Sequence, residues 1–279
     1  MGEPQSYVER IPLRSLATRV RTVWVQRTGP EPYVQRHLPT GGVELHCRIG
    51  AIPRLVGPLT AALVEVLPAD ATIVGVRFWP GAATPLLGLP ADELVDQAIS
   101  LADLWRSEAL RLGELLIDAP GPDAALDLLQ RHLVSMQDER DRPDPLVAVA
   151  AQRLMPWQPV GISALTTELA ISASQLRRRF LTAVGLGPKP LQRTLRFQGY
   201  LALAQAAGSP AARPLGVADL AADVGYADHA HLSRECHRLT GLTPTELLLG
   251  DVDRCGCGHD HAASYLPFLA GRRQVPRAG

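Results

Sequence analysis

The hydrophobic period of this chain changes once, and that change decides what the chain can fold into. Between residues 18 and 87 apolar side chains tend to recur at every second position. Thr22-Val23-Trp24-Val25-Gln26, Val43 to Ile49 and Thr72 to Trp79 are rich in β-branched and aromatic residues, and the latter two alternate as half-buried strands do. Gly29-Pro30, Pro39-Thr40-Gly41-Gly42, Gly57-Pro58 and Pro80-Gly81 punctuate them at the spacing of a small sandwich or barrel. From Ala91 to Ile117 the step becomes three or four. Leu94, Ala98, Leu101, Leu104, Trp105 and Leu112 then predict an amphipathic helix pair, and Asp123 to Met136 a further helix behind Pro122. Residues 137–145 are polar, end on Pro143 and Pro145, and read as a linker. Beyond it no strand is predicted. Helices are expected at Leu146–Leu154, Ile162–Leu169, Ser172–Val184, Pro188–Ala207, Val217–Val224, Asp228–Leu239 and Pro244–Leu249, with Gly185, Gly208, Gly225 and Gly241 where they stop. The expected fold class is α+β: an N-terminal small β-barrel or sandwich with helices, then an all-α region.

A chain of 279 residues can bury roughly two cores. Its 28 basic and 28 acidic side chains cancel, which taken whole argues against nucleic acid, but the cancellation is between regions. Residues 1–144 carry 14 Arg against 19 acids; residues 145–250 carry nine Arg and one Lys against six acids; residues 251–279 carry four Arg against three Asp. An acidic module is therefore joined to a mildly basic one. The four cysteines lack framework spacing, and residues 1–9 lack a basic segment followed by an apolar core, so a cytoplasmic location without membrane contact is expected. No nucleophile elbow, phosphate loop or paired-carboxylate motif occurs, and no enzyme is expected.

Two segments of the basic region share one layout. Ser163 to Ala170, a break at Ile171-Ser172 and Ala173 to Phe180 form the first; Val217 to Val224, a break at Gly225-Tyr226 and Ala227 to Cys236 form the second. A short helix, a tight turn and a longer helix deliver a recognition helix to a major groove. Leu176, Phe180 and Val184 make one apolar stripe, and Leu232, Cys236 and Leu239 the other. Ser174, Arg177 and Arg178 are left outward on the first unit, and His229, Ser233 and Arg234 on the second.

These residues resemble the DNA-binding domain of AraC/XylS-type transcription regulators. The match is strongest over Leu220-Ala221-Ala222-Asp223-Val224-Gly225-Tyr226-Ala227-Asp228-His229-Ala230-His231-Leu232-Ser233-Arg234, continuing to Gly241-Leu242-Thr243-Pro244. Ser174, Leu176, Arg178, Phe180, Gly185 and Pro188 fit the first unit. Cys236 and Leu247 depart from the usual Phe and Tyr. The resemblance implies a sensor region at 1–137, a linker at 138–145, an AraC-type DNA-binding domain at 146–250 and a tail at 251–279. It implies double-stranded DNA as partner, read in adjacent major grooves on one face, with the helix Pro188–Ala207 joining the two units. Arg177 and Arg178 can each offer guanine a bidentate fork, Arg234 and His231 base or backbone contacts, and Arg179 and Arg196 phosphate contacts. For Arg179 the alternative is a solvated helix face, and for His231 a structural place at the turn. RNA polymerase and a small-molecule effector are the other implied partners, the chain acting as monomer or homodimer. Fragment 145–250 is expected to bind DNA at least as well as the whole chain.

For the N-terminal half the resemblance suggests a cupin-like sensor, although His37, His46 and Cys47 supply no cupin metal signature. Gly75 to Ala83 is similar to an Arg-Phe-x-Pro-Gly-Ala stretch of sensors attached to such regulators. Trp24, Tyr33, Phe78 and Trp79, with Arg77 or His46 fixing a polar group, could line an effector pocket, or the aromatics could be core. Leu94 to Leu112 could be a dimer face or pack on the barrel. In the tail, Cys255, Cys257, His259 and His261 alternate so that two thiols and two imidazoles share one side of an extended chain, a donor set for zinc or Cu(I). That cluster offers a second reading, a metal- or redox-responsive regulator, against the bland one of a Gly-rich extension. A DNA-targeted alkyl-transfer repair enzyme would need a reactive N-terminal cysteine, and only Cys47 is there, without a motif.

Overall fold

The computed structural model describes residues 5–137, 142–158, 160–207, 221–249 and 261–272. Among the described residues eight strands precede residue 101: β1 (Ser6–Arg10), β2 (Val20–Arg27), β3 (Tyr33–His37), β4 (Glu44–Arg48), β5 (Arg54–Val56), β6 (Leu63–Leu67), β7 (Thr72–Phe78) and β8 (Ala98–Ser100). Six form an antiparallel sheet in the order β1-β2-β7-β4-β5-β8, and β3 pairs with β6 in a second, two-stranded sheet. The α+β sandwich expectation holds, with the three strongest sequence segments at the centre as β2, β4 and β7.

Alternation gives the large sheet two unlike faces. Val23, Val25, Leu45, Val74, Val76 and Phe78 share one apolar core with Leu112 and Leu116 of α3 (Ser107–Ile117) and Leu126, Leu129 and Leu133 of α4 (Pro122–Ser135). The other side carries Tyr7, Glu9, Thr22, Trp24, Gln26, Glu44, His46 and Arg77, all buried or nearly so, and the two-stranded sheet lies against part of it: Gln26 donates to Gln35 at 2.6 Å. Gly75 makes this possible, since a Cβ there would stand 2.1 Å from the Trp24 indole, which lies across β7.

The expected helix pair over 91–117 is a correction. Ala91–Leu94 is a 3-10 turn, Ala98–Ser100 is β8, and only α2 (Ala102–Trp105) and α3 are helical; α1 is a short turn of helix at Thr84–Leu87. Leu55 pairs with Ile99, so residues whose spacing suits a helix are drawn into the sheet by pairing with β5. Leu94, Leu101 and Leu112 are buried in the N-terminal core, which makes that stripe a packing face.

The helical region contains α5 (Pro145–Arg153), α6 (Ile162–Glu168), α7 (Ala173–Val184), α8 (Pro188–Ala207), α9 (His229–Thr240) and α10 (Pro244–Leu249). Asp144 caps α5, accepting from Leu146 N at 2.9 Å and Val147 N at 3.3 Å, so the end of the expected linker is a helix start. Ser172 and Gln175 close a capping box on α7, and Gly185 ends it at φ +78°. Of the second unit's first helix, only residues 221–223 are described as helical. One helix was not foreseen. α11 (Ala262–Arg272) returns from the far end of the chain and packs on α8, β1 and β2. Its Phe268 is fully buried among the core residues of the helical region.

The two regions meet at several points. Thr84 donates to the Ala183 carbonyl at 2.7 Å, Gln198 to Pro39 O at 2.7 Å and Arg36 to Thr240 O at 3.1 Å. The end of α7 lies against the 3-10 turn, where a Cβ on Gly185 would come 2.6 Å from Ala91 O.

Candidate nucleic-acid interface

Both expected apolar stripes are buried: Leu176, Phe180 and Val184 under α7, and Leu232, Cys236 and Leu239 under α9. Ser174, Arg177, Arg178 and Arg179 are all exposed on α7. Their surroundings differ. Arg178 and Arg179 border a cleft of about 520 Å³ against Pro85, Leu89 and Pro90 of the N-terminal region, together with Arg142. Arg179 is bound there to Asp144, 2.5 Å from Nη1 to Oδ2, which ties α7 to the α5 cap. Ser174 and Arg177 stand outside this cleft.

On α9, Asp228 accepts from the His231 N–H at 2.6 Å and closes the helix start. The His231 ring lies edge-on to Tyr226, centroids 5.2 Å apart, and its Nδ1 is 3.4 Å from Ala227 N. His231 is thus built into the turn, the structural alternative of its two readings. His229 and Arg234 are exposed, and Ser233 reaches His229 Nδ1 at 3.3 Å. Arg196 projects from α8 with its guanidinium 5.6 Å from the Tyr226 ring centre, bracing the same turn. Sequence reasoning missed Glu235. It is 5 % exposed, holds Arg193 through two bonds of 2.7 and 2.8 Å and Arg238 through one of 2.9 Å. Burial alone would raise its carboxyl; the two arginines outweigh that and hold it low. The spacing of Glu235 and Arg238 was readable as a helical pair, but Arg193 is on another helix.

The effector candidates divide. Trp24, His46 and Arg77 converge on the polar side of the large sheet. Alternation along β7 sends Phe78 into the apolar core, opposite Arg77, and Trp79, just past the end of β7, donates to Ala17 O at 3.1 Å. Arg77 is the hub. Its Nε lies 2.7 Å from Glu44, and its Nη1 lies 2.7 Å from Glu9 and also bonds Ser264. Trp24 stacks edge-on against His46 at 4.9 Å, and His46 Nε2 is 3.4 Å from Glu44. Burial drops the His46 imidazole to about 4. Cys47 is buried on the other side, and burial pushes its thiol far up, the reverse of what alkyl transfer needs.

Cys255, Cys257 and His259 lie outside the described residues. His261 is described, and its Nδ1 is 3.3 Å from Glu9, with the ring 4.8 Å from that of Tyr7. Among the described residues no group of three or more His, Cys, Asp or Glu could hold a metal. No helix of the described residues is long and apolar enough to cross a membrane.

An α7 and an α9 with buried stripes and arginine-bearing outer faces define a helix-turn-helix reader. A family described as "Helix-turn-helix domain" matches residues 165–249, and one described as "Domain of unknown function (DUF6597)" matches residues 8–100. The C-terminal part is therefore an AraC-type helix-turn-helix domain, and the chain is a DNA-binding transcription regulator. No curated protein matches it. Among solved structures it is similar to ToxT from Vibrio cholerae O395, at 11% identity over 88% of this chain and 98% of that one, with TM-score 0.45. It is also similar to unsaturated fatty acid bound wild-type ToxT from Vibrio cholerae strain SCE256, at 11% identity over 89% and 96%, with TM-score 0.41.

Proposed function

We propose that this protein recognises an asymmetric promoter sequence with α7 and α9 together, and that its N-terminal region controls the recognition in response to a small molecule. The observation that carries the reading is the pair of helices whose buried stripes leave Ser174, Arg177, His229 and Arg234 outward. Joining them is the 20-residue α8. A helix of that length spans ~30 Å, close to the ~34 Å between successive major grooves on one DNA face. Arg177 is the leading base reader, since it is exposed and outside the cleft. Arg178 combines a base contact with a place on the cleft wall. Contacts to phosphate fix position and make affinity fall by ~0.9 log unit per log unit of salt for each phosphate neutralised.

The effector reading is supported by Trp24, His46 and Arg77 on one side of the sheet, with Tyr7 and Glu9 beside them. A few polar groups fixed among aromatics orient a small ligand. Selecting bound fragments from the parent genome, then titrating one against the protein at several salt concentrations, tests the DNA reading. Steep loss of affinity with salt and sequence preference support it; salt-insensitive or absent binding sinks it. Adding candidate small molecules to the same titration tests the control, and a shift in affinity is the result expected of an effector.

A further inference from the structure

α11 lies beyond the two helix-turn-helix units in sequence but joins both regions in space. At its start Ser264 is 2 % exposed and sits in the Arg77 cluster. Its N–H donates to Glu9 Oε2 at 2.8 Å, its hydroxyl accepts from Arg77 and lies 3.3 Å from the Thr22 hydroxyl, and His261 reaches Glu9 from just before it. The Glu9 carboxylate has no solvent exposure. A buried carboxylate that loses donors is costly, so the cluster and the helix start hold each other. Further along, Phe268 is fully buried in the reader core, Tyr265 and Leu269 pack on it, and Gly271 lies so close to Trp157 that a Cβ would come within 2.7 Å of the indole. Arg21 of the sheet lies 5.9 Å from the Phe268 ring. The helix has 11 residues with Pro267 inside. Isolated helices under ~12–15 residues are marginal in water, and an internal proline removes a further backbone bond. α11 is therefore helical because both neighbours hold it.

We propose that α11 is a strap coupling sensor to reader: its start completes the ion cluster on the sensor sheet, its end completes the core under α8, and loosening either end loosens the other. The regulatory consequence rests on the effector reading above. Arg77 Nη1 serves both Glu9 and Ser264, and a ligand oxygen that takes the hydrogen bond given to Ser264 frees the strap from the sensor side. Polar ligands with hydroxyl or carboxylate oxygens fit that competition; apolar ones do not.

The test is reciprocal, because coupling between two sites must be. In the full chain, Glu9→Gln weakens the sensor end and Phe268→Ala the reader end, and amide hydrogen exchange is read at both. Expected is faster exchange of residues 262–272 by about tenfold or more in each variant, with Glu9→Gln also exposing α8 and Phe268→Ala also exposing β1. α4 should keep its protection in both. If each substitution speeds exchange only on its own side, the strap is overturned. Should Glu9→Gln fail to fold, Ser264→Ala removes just the hydroxyl held by Arg77 and Thr22, and the same far-side readout decides. DNA affinity is measured alongside: a loosened strap should shift it by about tenfold, and a loosened strap with unchanged affinity ends its regulatory role. Coupling without any DNA binding fails the function proposed above and leaves the strap standing; DNA binding without coupling fails the strap alone.

Discussion

Arg177, Arg178 and Arg179 follow one another on α7 and meet different surroundings: open solvent, a cleft wall, and a carboxylate already in place. Arg177→Ala should weaken specific DNA binding by ~1–3 kcal/mol, the worth of one bidentate base contact. Arg179→Ala should leave DNA affinity nearly unchanged and lower stability by ~1 kcal/mol or less, because its pair with Asp144 is half exposed. Fluorescence anisotropy and denaturant midpoints separate the two, and an Arg179 variant as damaging to binding as Arg177 would contradict the assignment. Outward position was legible from the period of the helix; the pairing of Arg179 with Asp144, 35 residues away, was not, since only the fold brings them together. Acid should act through the Arg77 cluster. His46 stays neutral in the fold down to about 4 against an ordinary 6.5, because it is buried, while the unfolded chain takes up a proton sooner. Stability contributed by keeping it neutral is thus lost as pH falls from 6.5 toward 4. Burial works to raise Glu9 and Glu44, yet Arg77 and the bonds around them outweigh it and hold both below the carboxylate value of 4.5. A lowered carboxylate stabilises above that value and loses its contribution as pH falls through the folded one. Both effects have one sign, so denaturant midpoints should fall in two stages on acidification, and His46→Gln should remove the earlier stage. A midpoint that rises on acidification across that range would refute the assignment.

At the scale of elements, strands with clean alternation and helices with clear caps were readable, while short pieces stabilised by neighbours were not. β8 has three residues and exists because β5 offers it a ladder. α11 reads as the end of a Gly-rich tail, and Pro267 argues against a helix there; burial of Phe268 and Ser264 outweighs that local preference. Phe268→Ala should therefore lower stability by ~3–5 kcal/mol, the usual cost of emptying a buried aromatic site, with thermal or denaturant unfolding as the check. A surface-like loss under ~0.5 kcal/mol would mean that α11 is an appendage. The start of α9 depends on Asp228 in the same local way. Asp228→Ala should cost ~1 kcal/mol and blur DNA recognition, because His231 and the turn before it lose their anchor.

For the whole molecule, zero net charge conceals an acidic N-terminal region and a basic helix-turn-helix region, and the fold adds a qualification to that division. The reader does not end at residue 250, since its core includes Phe268 and the α8 surface under α11. Fragment 145–250 should accordingly be less stable than the sequence alone suggests, and a fragment carried through residue 272 is the better isolated reader. The acidic region should weaken non-specific association and leave discrimination to the arginines of α7 and α9. The most direct measurement is the affinity of the full chain for a selected promoter fragment across a series of salt concentrations, beside Arg177→Ala and Arg234→Ala. A double-groove reader should show log affinity falling linearly with log salt, by ~0.9 for each phosphate contact, and each substitution should erode the preference for that fragment over unrelated DNA. Flat salt dependence, or preference untouched by both substitutions, would contradict recognition through these two helices.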